Sequence, residues 1–358
     1  MNNPIVECVP NFSEGRNMSV IKQITDAIES VEGVSLLNVD PGEATNRTVV
    51  TFVGSPEAVV EAAFRATKKA GEVIDMRKHH GAHPRMGATD VLPLIPVSGI
   101  TLEECAELAR QLAKRIADEA GIPCYCYEAS AFRPERKNLA VCRAGEYEAL
   151  ASKLTSPTLL PDFMPPGLGT PPPARTESGM PASTVPQPYI PESIMRTGIS
   201  VVGARDFLIA VNFNLNTKDE TIATAIAREV REKGYQGRPG TLKATKAIGW
   251  YIDEYGIAQV SMNLCNISLT PLHAAFCEVS RHACKHGVSV TGTEIIGLVP
   301  LRALTEAGHY FLQKRGPNPD TTEESLVTEA IASMNLCDLR PFNPNEKVIE
   351  YLLRNEDI

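Results

Sequence analysis

The chain has 358 residues, 43% of them hydrophobic and 22% charged, with a formal net charge of −8. That length exceeds what one core usually encloses, so two domains plus connectors are expected, and the acidic balance argues against a general nucleic-acid binder while leaving room for a local basic pocket that takes a small anion. No apolar run is long enough to span a bilayer, and Met1-Asn2-Asn3-Pro4 does not open a basic-then-apolar leader, so a cytoplasmic protein is expected. Nine cysteines without a CxxC pair fit reduced thiols used as small core residues better than a disulfide framework.

In chain order, Ile5–Phe12 reads as a strand that runs into the loop Ser13–Asn17. Asn17 can cap a helix carrying Ile21, Ile24 and Ile28 at helical spacing, with Gly33 as its stop. Val34–Val39 is a strand ending at the turn Asp40-Pro41-Gly42, and the β-branched run Arg47–Val53 returns from it. Pro56 opens a second helix with Val59, Ala62, Ala63 and Ala66 on its inner face. Val91–Val97 is the next strand, Thr101–Ala120 a helix with a Thr101-x-x-Glu104 capping box, and Ile122–Tyr127 a further strand. The order is βαββαβ, then αβ.

Residues 155–191 are rich in proline and lack apolar periodicity, which predicts a long loop or linker. The second half then gives a strand over 207–214, a helix over 218–233, strands over 247–251 and 258–263, a helix over 271–285, a strand over 294–299 and a helix over 302–313. This is βαββαβ again. Val9-Pro10-Asn11-Phe12 matches Ala210-Val211-Asn212-Phe213, and the run from Asp90 to Val97 matches the run from Glu294 to Leu301, at nearly the same displacement. The expected fold is therefore α/β: two similar α/β sandwich subdomains, each a mixed sheet of βαββαβ type covered by helices, spanning 1–153 and 201–358 with the proline-rich loop at 154–200 between them.

One stretch has no counterpart in the second half: Arg77-Lys78-His79-His80-Gly81-Ala82-His83-Pro84-Arg85-Met86-Gly87-Ala88-Thr89-Asp90. It holds three of the seven histidines, and histidine is the side chain whose unperturbed pKa lies nearest neutrality. Gly81 and Gly87 allow backbone conformations closed to other residues, while Pro84 pushes His83 towards an extended one. We read it as the working loop. A metal site and a merely solvated basic loop are the alternatives; against metal, no pattern such as HExxH is present, and His79, His80 and His83 lack the i, i+4 spacing of helical ligands.

Glu7–Arg16, Thr45-Asn46-Arg47-Thr48, residues 74–90, and Ile248-Gly249-Trp250-Tyr251 with Gln259-Val260-Ser261 together resemble the glutamate formimidoyltransferase family. The similarity covers nearly the whole chain outside the proline-rich stretch. The resemblance implies two similar α/β subdomains and transfer of the formimidoyl group of N-formimidoyl-L-glutamate to N5 of tetrahydrofolate, giving 5-formimidoyltetrahydrofolate and glutamate, a step of histidine breakdown. It implies tetrahydrofolate as co-substrate, no metal, and a homodimer. It puts the catalytic histidine at His83, through the match of His79-His80-Gly81-x-His83-Pro84-Arg85, with His80 among the binding residues. Animal members continue into a cyclodeaminase domain; this chain stops at Ile358, so that second activity is expected to be absent. The proline-rich stretch is longer than the corresponding family loop. Other one-carbon substrates (N-formylglutamate or 5-formyltetrahydrofolate) and a non-catalytic folate-binding module stay open as alternatives.

Moving an amidine carbon between two amines requires removal of a proton from the attacking N5 and delivery of one to the departing glutamate nitrogen. One histidine can do both in sequence, and His83 is the candidate. Asp40 either orients that imidazole or is only a turn residue. Arg47 and Arg85 either pair with substrate carboxylates or form surface salt bridges, with binding favoured for Arg85 because it shares the histidine loop. Asn11, Ser13 and Glu14 are candidate contacts for pterin or amidine, with helix capping as the alternative. The proline-rich stretch is expected to close over the folate site, with a passive linker as the alternative.

Overall fold

Val50 and Phe52, at alternate positions of the run Arg47–Gly54, join the core packed against the helices, so this strand anchors the first sheet. The computed structural model describes residues 4–43, 45–81, 84–168, 190–316 and 321–355. The first unit contains β1 (Ile5–Cys8), β2 (Asn11–Phe12), α1 (Met18–Glu29), β3 (Val34–Gly42), β4 (Arg47–Gly54), α2 (Pro56–Val73), β5 (Thr89–Ser98), α3 (Leu102–Arg115) and β6 (Cys124–Glu128). Short helices α4 (Leu139–Arg143), α5 (Leu150–Thr155) and α6 (Glu192–Thr197) precede β7 (Ser200–Ala204).

The caps expected at Asn17 and Thr101 are in place, and Ser55 adds one not singled out from sequence. Asn17 accepts from the backbone of Ser19 and Val20, Ser55 caps α2 ahead of Pro56, and Thr101 and Glu104 form the reciprocal box. The last turn of the third helix, Ile116–Ala120, is π-helical and closes at Gly121 with φ +69°. Ile24, Ile28, Val59, Ala62, Ala66 and Leu112 pack on Val6, Phe12, Val50, Phe52, Leu92 and Leu94 of the sheet. A smaller cluster on the other face joins Met86, Val91, Tyr125, Tyr127 and Val201 to Cys142, Leu150 and Ile194.

The second unit contains β8 (Ile209–Leu215), α7 (Glu220–Val230), β9 (Thr245–Ile252), β10 (Ile257–Leu264), α8 (Leu272–Lys285), β11 (Val290–Ile296), α9 (Leu301–Arg315) and α10 (Glu323–Met334). Its strand order is β11-β8-β10-β9. The first unit repeats that order, with β5 beside β1 and β2, then β4, then β3. Asn11 faces Val49 on β4 as Asn212 faces Ser261 on β10. Two α/β subdomains of one βαββαβ plan are therefore present. Among the described strands, β7 runs parallel to β5 and β6 in the first sheet, while β8 to β11 pair antiparallel in the second, with one isolated parallel bridge between Val299 and Val348 outside them.

The boundary expected at residue 200 falls instead after Arg205. Residues 200–204 belong to the first sheet because β7 inserts between β5 and β6, with Ser200 Oγ donating to the Thr89 carbonyl at 2.7 Å. The stretch expected as a linker is likewise built into the first unit at both ends. Phe163 exchanges backbone hydrogen bonds with Cys124, Asp162 accepts from Cys126 N at 2.8 Å and pairs with Arg136 at 2.5 Å, and α6 packs on α2. Residues 169–189, on which the expectation of a closing loop rests, lie outside the described residues. The nine cysteines are free thiols. Among the described residues no helix is long and apolar enough to cross a membrane.

Phe12 and Phe213 hold equivalent, fully buried positions in the two sheets. Phe12→Ala and Phe213→Ala are each expected to cost about 3–5 kcal/mol. Urea unfolding measures this, and an unmoved midpoint for either variant contradicts the shared core position.

Candidate active site

Three loops of the first subdomain meet at Asn46, whose φ is +48°, a left-handed conformation that asparagine tolerates better than most residues. Its Oδ1 accepts from Gly15 N at 3.0 Å, and its Nδ2 donates to the His80 carbonyl at 2.9 Å. Its own carbonyl accepts from Nε2 of the buried His79 at 2.8 Å. Glycine lets these loops touch. A Cβ on Gly15 would stand 2.3 Å from Gly42 O, and one on Gly81 2.2 Å from Thr45 O. Neither Gly81 nor Gly87 has a positive φ, so close contact, rather than the backbone freedom expected from the sequence, is what requires glycine at both; a Cβ on Gly87 would lie 2.5 Å from Ile199 O.

Because Nε2 of His79 faces a carbonyl, that nitrogen carries the proton of the neutral ring. Nδ1 is buried without a hydrogen-bond partner among the described residues. Burial lowers the His79 pKa, against the Asn46 carbonyl, which favours the charged ring.

The other limb of the loop is held by charges. Arg85 donates to Glu146 at 3.0 Å and to both oxygens of Glu148 at 2.9 and 2.7 Å, and Tyr147 N donates to the Arg85 carbonyl. The carboxylates around this guanidinium belong to the protein itself, in line with the salt-bridge alternative. Below it, the fully buried Asp90 accepts from Met86 N at 2.9 Å and pairs with Arg143; burial raises the pKa of this carboxyl.

Asn11, Asp40 and Arg47 share the sheet face turned away from α1 and α2, since Phe12, Val39, Val50 and Phe52 take the other. Arg47 Nη1 donates to Asn11 Oδ1 at 2.9 Å. Burial pulls the Arg47 pKa down, the Arg143 charge adds to this, and Asp90 and Asp40 oppose it. Asp40 is exposed on β3 opposite Val49. Ser13 and Glu14 serve their own loop: Ser13 Oγ donates to the Gly87 carbonyl at 2.7 Å, and Glu14 accepts from Arg16 N and Asn17 N at 2.8 and 2.9 Å. His80 is exposed. His83 lies outside the described residues. Arg143, Glu146 and Glu148 were not singled out from sequence; their only signal is the alternation of charges from the end of α4 through Glu148. Among the described residues no group of three or more His, Cys, Asp or Glu is arranged to hold a metal.

Residues 5–173 match the formiminotransferase domain, N-terminal subdomain, and residues 210–354 match the formiminotransferase domain. The chain belongs to the formiminotransferase domain family. Within it, the glutamate formimidoyltransferase of Streptococcus pyogenes serotype M1 is 42% identical over 86% of this chain and 93% of its own length. The glutamate formimidoyltransferase of Thermoplasma acidophilum is 40% identical over 87% and 93%. A formimidoyltransferase-cyclodeaminase of Dictyostelium discoideum is 44% identical over 99% of this chain, which spans 61% of that relative's length. The second formiminotransferase match begins within β8, so each matched segment contains one copy of the repeated sheet.

A histidine held neutral by burial binds fewer protons folded than unfolded, so stability rises with pH between its lowered pKa and about 6.5 and is lost on acidification through that window. The thermal midpoint is therefore expected to fall less between pH 7.5 and 5.5 in His79→Gln, which keeps an N–H for Asn46 but cannot titrate, than in the unaltered protein. Equal slopes in the two proteins would rule this out. Arg85→Lys keeps one charge and loses the fork; it is expected to cost about 1 kcal/mol of stability, small because Glu146 and Glu148 are solvated, with little change in substrate KM. A large KM increase without a stability change would instead assign Arg85 to substrate.

Proposed function

We propose that this chain transfers the formimidoyl group from N-formimidoyl-L-glutamate to N5 of tetrahydrofolate, giving 5-formimidoyltetrahydrofolate and L-glutamate, as a one-carbon transferase of histidine degradation. The observation that carries the reading is the likeness to two relatives named glutamate formimidoyltransferase across 93% of the length of each. On this reading the protein is a cytoplasmic homodimer with tetrahydrofolate as co-substrate and no resident metal.

His83 is the proton carrier: it takes the proton from N5 as that nitrogen attacks the amidine carbon, then returns one to the glutamate nitrogen as the tetrahedral carbon collapses. Support comes from the residues around it. The described limbs that flank it in sequence are held by Asn46 and Arg85, and a group handling two transfers in sequence requires such support. Asp40 and Arg47, on one sheet face, are its proposed partners: Asp40 to favour the charged imidazole and Arg47 to meet a substrate carboxylate.

The test is incubation with formimidoylglutamate and tetrahydrofolate without ATP, with N-formylglutamate and 5-formyltetrahydrofolate as comparison substrates. Turnover is expected with the formimidoyl donor, and His83→Ala is expected to lose about 10²–10⁴-fold in rate while still binding a folate analogue. Near-normal turnover of the folded variant would remove His83 from the mechanism.

A further inference from the structure

The second subdomain carries a polar constellation of its own. Phe213 meets Phe276 of α8, so Asn212 and Asn214 point to the opposite sheet face. Across that face Ile248, Ser261, Asn212 and Glu294 stand in one transverse row, and Trp250, Gln259 and Asn214 in the next. Trp250 Nε1 donates to Gln259 Oε1 at 3.0 Å, which fixes the flip of that amide and turns its Nε2 to Asn214 Oδ1 at 2.8 Å and Glu294 Oε2 at 3.4 Å. Asn212 Nδ2 donates to the same Glu294 oxygen at 3.0 Å, and among the described residues only the Tyr255 hydroxyl reaches Oε1, at 3.4 Å.

Asn212, Asn214 and Gln259 are buried, while Glu294, Trp250 and Tyr255 are half-buried. Two buried amides, Asn212 and Gln259, thus orient a carboxylate that keeps acceptor capacity and makes no ion pair among the described residues, while Asn214 holds Gln259 and donates to Asp338 at 2.9 Å. Arg340, whose charge feels Glu294, is itself paired with Glu254 at 2.9 Å. The large apolar side chains Ile248 and Ile296 are exposed on the same face. A few convergent polar groups beside apolar and aromatic surface are the makings of a small-molecule site.

The repeat sharpens this. By strand register Gln259 occupies the position of Arg47, and Asn212 that of Asn11. In the first subdomain the asparagine turns its oxygen to a cation, and in the second its nitrogen to an anion. One face suits a carboxylate; its copy suits N–H donors.

We propose that Glu294, oriented by Asn212 and Gln259 and flanked by Trp250, binds the N–C–N edge of a planar amidine-type group through paired N–H donors. Naming the sources of that edge rests on the transferase reading, which supplies two: the 2-amino-4-oxopyrimidine ring of the pterin and the formimidinium of the donor.

Trp250 is the sole tryptophan of the chain, so its emission reports on this face alone. The full-length protein is titrated with formamidinium chloride and, separately, with 6-methylpterin, by Trp250 emission and by calorimetry. One probe is expected to bind and perturb the emission, with affinity about tenfold or more weaker in Glu294→Gln, which keeps an acceptor for Asn212 but loses the charge, and intermediate in Glu294→Asp. In turnover, Glu294→Gln is expected to raise KM for tetrahydrofolate if the pterin is the source, or for formimidoylglutamate if the donor is, with kcat within about threefold. Binding of neither probe, equal binding by unaltered protein and folded variant, or a fall in kcat with both KM values unchanged overturns the proposal. Probe binding that depends on Glu294 in a protein without transferase turnover would instead sink the transferase reading and leave this site standing.

Discussion

The first subdomain depends on one residue that does three things at once. Asn46 holds the strand-end loop at Gly15, the histidine loop at His80 and the His79 ring, all from a backbone conformation that few side chains accept. Each bond alone is worth about 1 kcal/mol. Their joint effect is larger because every one closes a contact between segments distant in sequence, and because a buried partner left alone carries its desolvation cost. The glycines at 15 and 81 follow from this: the loops come so near that a Cβ at either position would lie within 2.3 Å of a carbonyl oxygen. Asparagine at 46 and glycine at 15 and 81 are one constraint distributed over three places.

Duplication explains which features are scaffold and which are site. In both sheets the helix-facing side repeats conservatively, with Phe12 and Phe213 at one register position and both fully buried. The opposite faces diverge in charge while keeping geometry, so that Arg47 with Asn11 in one copy becomes Gln259 and Glu294 with Asn212 in the other. A helix-covered face tolerates little beyond volume-conserving change. The opposite face exchanges its polar groups while the strands keep register.

Much of this was legible in the sequence where the signal is local. Strand and helix periods, the caps at Asn17 and Thr101, and the repeated Asn-Phe pair require only neighbours along the chain. What the sequence concealed depends on residues far apart. The short apolar run at 200–204 reads as the start of a second domain, yet its backbone completes the first sheet between β5 and β6. Glu146 and Glu148 look like solvated charges until the fold brings Arg85 to them. Arg85 itself read as a ligand for substrate because its loop was recognisable and its partners, some sixty residues away, were not. The flanks of the proline-rich stretch were hidden in the same way, since Asp162 and Phe163 acquire their roles only through Arg136 and the β6 backbone.

The junction between loop and sheet shows how an irregularity serves such a site. Phe12 faces Thr89 and Asn11 faces Val91, so Asp90 is an extra residue, a bulge where the histidine loop enters β5. The bulge breaks the alternation that would otherwise send Asp90 to the helix core or to solvent, and leaves its carboxyl buried between Met86 N and Arg143. Burial disfavours the charge, and Arg143 and the Met86 amide oppose that effect without cancelling it, so the carboxyl pKa stays raised. The result is a buried carboxyl fixed beside the loop, within electrostatic reach of Arg47. A regular strand would supply neither this placement nor the sharp entry. The described limbs of the loop are thus held by Asn46, by Glu146 and Glu148 through Arg85, and by Asp90 through the Met86 amide.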